Sequence, residues 1–91
     1  MSNVKQQLQV AINIALQLAN ARLERTPNYI VYQVIDKQLQ MIQAQLETNS
    51  KPSAEQKRKV NFDSIAAREL ELNDREFTDA LNKVGFLYRR W

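Results

Sequence analysis

Leu8-Gln9-Val10-Ala11-Ile12-Asn13-Ile14-Ala15-Leu16-Gln17-Leu18-Ala19-Asn20 is the stretch on which the fold turns. Its amides interrupt the apolar residues at helical intervals, which neither a strand nor a membrane span would do. Extended outward, Val4, Leu8, Ala11, Ala15, Leu18 and Arg22 follow alternating steps of four and three, and Ile12, Leu16, Ala19 and Leu23 form an adjoining row. Two adjacent rows make a wide apolar face, as on a helix packed against two neighbours. The spacing predicts a helix from about Asn3 to Glu24, with Ala11, Ala15 and Ala19 admitting another backbone closely.

Arg25-Thr26-Pro27-Asn28 ends that helix, since Pro27 donates no backbone N–H and biases Thr26 away from the helical region. Thr26 is expected to cap a second helix with Pro27 at its first position. That helix runs to about Glu47, with Val31, Ile35, Leu39, Ile42 and Leu46 inward, backed by Ile30 and Val34. The short connection places it antiparallel to the first. After the Thr48–Pro52 loop, Ser53 and Gln56 have capping-box spacing. Periodicity then lapses over Lys57-Arg58-Lys59-Val60-Asn61 and returns at Phe62, Ile65, Ala66 and Leu70, so the third helix is expected to be short or broken, resuming over about 61–71. Asn73-Asp74-Arg75-Glu76 is a second cap-and-N3-carboxylate pattern, in which Asp74 and Glu76 look like cap residues at the positive end of the helix dipole. Phe77, Leu81, Val84, Tyr88 and Trp91 form the stripe of the last helix, in which Gly85 marks either a tight contact or fraying. The expectation is a single all-α domain over residues 1–91, a compact antiparallel bundle of four helices.

Composition narrows the function. No Cys and no His among 91 residues removes disulfides, thiolate zinc sites, the commonest general base and the commonest metal ligand. The one Gly rules out a glycine-rich phosphate loop. Ser64 has no histidine to activate it, and no Asp/Asn/Gly loop offers a calcium cage. The expectation is no enzyme, no cofactor and no metal. With neither a signal-like apolar run nor a cysteine, the chain reads as cytoplasmic.

The charge is unevenly spread. Lys51, Lys57, Arg58 and Lys59 outweigh Glu55 in the linker, and Lys83, Arg89 and Arg90 make the tail basic. Between them, Asp63, Glu69, Glu71, Asp74, Glu76 and Asp79 outweigh Arg68 and Arg75. That acidic stretch would repel phosphate, which weighs against nucleic acid as a partner. Glu71 and Arg75 have the spacing of a helical ion pair, and Arg68 with Glu69 that of a local bridge. Gln6, Gln7, Gln9, Gln17, Gln33, Gln38, Gln40, Gln43 and Gln45 crowd the first two helices, either as a solvated face or as a neutral surface for a protein partner.

Three strings carry a family resemblance: Arg25-Thr26-Pro27-Asn28-Tyr29 after the first helix, Lys37-Gln38-Leu39-Gln40-Met41-Ile42 in the second, and Phe62-Asp63-Ser64-Ile65-Ala66-Ala67-Arg68-Glu69-Leu70 with Asp74, Glu76 and Leu81 beyond it. Together they resemble the small all-helical immunity proteins that protect bacteria from type VI secretion effectors which hydrolyse NAD(P)+. The 50–60 linker and the tail from Phe86 have no counterpart in that resemblance. The resemblance implies a cytoplasmic antitoxin that binds the cognate toxin domain of a secreted effector and obstructs its NAD(P)+ cleft. By the usual preference for large polar and aromatic anchors, the toxin-binding candidates are Tyr29, Tyr32 and Asp36 from the second helix and Glu69, Glu71 and Asp74 from the acidic segment. Two rival readings are a small basic nucleic-acid-associated regulator and a homo-oligomeric helical adaptor.

Overall fold

The computed structural model describes residues 3–91. The chain forms α1 (Val4–Arg25), α2 (Ile30–Glu47), α3 (Ala54–Lys59), α4 (Phe62–Glu69) and α5 (Arg75–Arg90). The short α3 and α4 are the two halves of the expected broken third helix, and with them the four-helix, all-α reading holds. α1 packs between α2 and α5, while α4 covers the open side of α2 and α5. Near the start of α5, Asp74 meets Arg22 from the end of α1; near its end, Tyr88 meets Gln45 from the end of α2. α5 therefore runs antiparallel to α1 and alongside α2. The core lies where these faces converge: Leu8, Ile12, Ala15 and Ala19 from α1, Ile35, Leu39 and Ile42 from α2, Phe62 and Ala66 from α4, and Phe77, Leu81, Val84 and Tyr88 from α5 are all fully buried.

The break at Val60–Asn61 has a steric cause. Val60 and Phe62 are both buried while Asn61 is exposed. Residues two apart face nearly opposite sides of a helix but the same side of an extended strand. Val60 accordingly adopts φ −69°, ψ 125°, and both side chains enter the core. Upstream, Ser53 and Gln56 form the expected reciprocal capping box. Downstream, Asn61 makes no side-chain cap. Gln38 of α2 replaces it: its Oε1 accepts from the N–H groups of Asn61 and Phe62 at 3.0 Å each, and its Nε2 donates to Asn61 Oδ1 at 2.8 Å.

The start of α2 differs from expectation. Thr26 closes α1 and does not cap α2; the Tyr29 N–H donates back to the Thr26 carbonyl at 3.3 Å. Pro27 is thus the second residue of a β-turn, a position that wants the same fixed φ as a helix start. α2 begins three residues later, at Ile30, with Gln33 Nε2 donating to the Pro27 carbonyl at 2.7 Å to hold the turn. Ile30 is 63% exposed and does not back the core row. At the start of α5 the cap is Asp74, as its place in the Asn73–Glu76 pattern suggested, one residue after Asn73; it accepts from Phe77 N at 3.3 Å. The helix is interrupted between Glu69 and Arg75, so Glu71 and Arg75 are no longer one helical turn apart; neither they nor Arg68 and Glu69 form an ion pair among the described residues.

Gly85 is a tight contact. A Cβ there would lie 2.7 Å from Asp63 Oδ2 and 2.9 Å from Arg89 Nη1, because the Asp63–Arg89 ion pair, closed at 2.7 Å, crosses directly over it. Arg89 also donates to the Val60 carbonyl at 3.1 Å, so α5 is tied to the hinge between α3 and α4. At the other end of α2, Asn49 takes φ 54°, and the Asn49 and Ser50 N–H groups bond back to Leu46 and Gln45. This is a Schellman closure with asparagine in the left-handed position. Several glutamines thereby prove to be ties between elements: Gln33, Gln38 and Gln45 each bond outside their own helix.

Candidate functional site

The end of α1, the turn at 26–29, the start of α2 and the loop between α4 and α5 meet at one pole of the bundle. They enclose an open cleft of about 430 Å³ lined by Arg22, Arg25, Thr26, Tyr29, Tyr32, Glu69, Leu70, Asn73 and Asp74. Its wall is aromatic. Tyr29 and Tyr32 meet edge to face, with ring centroids 4.8 Å apart and planes at 87°, and Tyr32 leans on Phe77 of the core at 6.1 Å. Both rings are half-buried, a state that suits an apolar body with a polar tip.

The floor is a charged clamp. Arg22 donates from Nε and Nη2 to the two carboxylate oxygens of Asp74, both at 2.8 Å, and from Nη2 to Glu76 at 3.3 Å. Its guanidinium lies 5.3 Å from the centre of the Phe77 ring. The side chains of Arg22 and Asp74 are 18% and 16% exposed, so water screens the pair only in part. Hydrogen bonding from Arg22 holds the Asp74 carboxyl below the usual carboxylate range, outweighing the opposing effect of burial. Burial, with the Asp74 charge adding to it, pushes the Tyr32 phenol up, against a smaller opposing effect of Arg22. At the rim, Arg25 and Glu69 are exposed, and neither makes an ion pair among the described residues.

Of the six candidates, the cleft gathers Tyr29, Tyr32, Glu69 and Asp74. Asp74 lines it with a carboxylate already committed to Arg22 and to the N-terminus of α5. Glu71 is exposed on the adjoining loop, outside the lining. Asp36 is one turn further along α2; Gln40 donates to its Oδ2 at 3.2 Å, and its Oδ1 is buried without a hydrogen-bond partner. Reading the sequence missed Arg22 as a member of the site, yet the signal was present: an arginine occupying a core-spaced position of α1 needs a buried anion. Arg25 and Asn73 carried no such mark.

The sequence model of the Tsi6 family matches residues 5–90. The chain belongs to the Tsi6 family. The match runs through the 50–60 linker and nearly all of the tail, the parts without a counterpart in the three strings. Among solved structures, Tsi6 from Pseudomonas aeruginosa superposes with a TM-score of 0.84 at 29% identity, over 93% of this chain and 88% of that one. No curated protein matches. Membership bears out the expected family, type VI secretion immunity proteins. No helix of the described residues is long and apolar enough to cross a membrane.

Proposed function

We propose that this Tsi6-family chain acts in the cytoplasm as a single domain, a stoichiometric inhibitor of the toxin domain of a type VI effector. Its cleft pole covers that domain's NAD(P)+ site, and it performs no turnover of its own. Family membership across residues 5–90 carries this reading. The cleft supports it: Tyr29 and Tyr32 supply rigid aromatic area of the kind that anchors protein interfaces, and Glu69 and Glu71 add free carboxylates beside it. A site that holds a dinucleotide's phosphates is cationic, so the carboxylates of Glu69 and Glu71 beside the aromatic wall can meet its charges.

The test is co-expression of the chain with the toxin domain encoded beside its gene, scored by survival and cellular NAD(P)+. Survival with undepleted NAD(P)+ is expected, together with a one-to-one complex of the purified proteins. Cell death despite expression of the folded chain would overturn the reading.

A further inference from the structure

We propose that the loop joining α4 to α5 is a preformed plug, with Leu72 as its anchor, that enters an apolar pocket on the toxin domain. The inference rests on the toxin-inhibitor reading and adds to it the residue that makes the central contact.

Leu72 is 98% exposed, whereas the other exposed large apolar side chains of the described residues range from 37 to 63%. A lone exposed leucine is ordinary on a protein surface. This one sits on a loop that is fixed at both ends. Leu70 is buried, its N–H donates to Ala66 at 2.8 Å, and its carbonyl accepts from both Asn73 N at 3.0 Å and Asp74 N at 2.7 Å. The bidentate Arg22–Asp74 pair locks the far end to α1. Glu71 and Leu72 are therefore held at the tip of a closed turn, and the ordering that binding demands of a loop is complete before the partner arrives.

Position beside the cleft names the occupant. Glu69 and Glu71 are exposed without an ion-pair partner among the described residues, and so are Arg68 and Arg75 at either end of the loop. The free charges of the loop therefore balance, and the apolar tip alone sets the complement, a pocket with an apolar floor. The loop is also continuous with the cleft, since Glu69, Leu70, Asn73 and Asp74 belong to both.

Calorimetric titration of the purified neighbouring toxin domain with wild-type chain, Leu72→Ala, Leu72→Asp and Val10→Asp tests this. Val10 is 60% exposed on α1, away from the loop. About a tenfold weakening is expected for Leu72→Ala and about a hundredfold for Leu72→Asp, with unchanged thermal midpoints and with Val10→Asp at the wild-type Kd. Wild-type affinity in both Leu72 variants would overturn the plug while leaving the inhibitor reading intact. Equal loss in Val10→Asp would also overturn it. Failure of the wild-type chain itself to bind would instead overturn the inhibitor reading, and the plug with it.

Discussion

Asp74 does two jobs with one carboxylate: it caps α5 and it neutralises Arg22. Asp74→Ala removes both, so a destabilisation of about 2–3 kcal/mol is expected. Asp74→Asn keeps a cap acceptor and should recover part of it. Denaturant unfolding of the three proteins checks this. The same residue sets acid sensitivity. Asp63 behaves likewise: burial raises its carboxyl, but the hydrogen bond and charge of Arg89 overcome that and leave it low. A carboxyl held low in the folded state binds fewer protons there than in the unfolded chain. Its stabilisation is complete above the unfolded value of about 4 and is lost as pH falls through the folded one. The thermal midpoint should therefore be flat with respect to these two groups above about pH 5 and fall below pH 4, less steeply in Asp74→Asn. Arg22 also marks how far a sequence speaks at this scale. Its place in the apolar row of α1 is visible from spacing alone, but the partner lies 52 positions away, and nothing local points to it.

The elements themselves were legible wherever their signals are local. Ser53 and Gln56 sit within one turn of each other, and their capping box formed as read. Pro27 illustrates the opposite case: a helix start and a β-turn ask for the same φ, so the residue cannot distinguish them, and the turn prevailed. Tyr29 and Tyr32, large amphipathic residues three positions apart, share a wall as their spacing suggests; Asp36, on the same helix, is carried past the cleft by one further turn. Least legible was the start of α4, whose cap comes from Gln38, 23 positions earlier. Gln38→Ala leaves the Asn61 and Phe62 N–H groups without this acceptor and should destabilise by about 1–2 kcal/mol. Gln38→Glu keeps an acceptor and places a negative charge at a helix N-terminus, where it is favoured, so it should lie closer to wild type. Thermal unfolding of both variants against Gln40→Ala, which bonds only within α2, is the comparison to make.

Across the whole molecule, the candidate site gathers at one pole and the least anchored piece lies at the other. The cleft and the Leu72 loop share the pole where α1 ends and α2 and α5 begin, while α3 follows the far end of α2. No residue of α3 is buried; the chain is buried only on either side of it, at Pro52 and at Val60, which joins the core. Lys57, Arg58 and Lys59 lie within this segment, so trypsin should cut there before anywhere else. Both fragments should elute together on gel filtration, with mass spectrometry locating the nick, because the faces that bury Ile35, Leu39, Phe77 and Leu81 are untouched by the cut. The molecule is then, in effect, two interlocking halves joined by a removable strap. A strap of this kind is a natural port for cargo: a fluorescent reporter or affinity handle spliced into α3 would ride at the rear of the bundle and leave the cleft pole free.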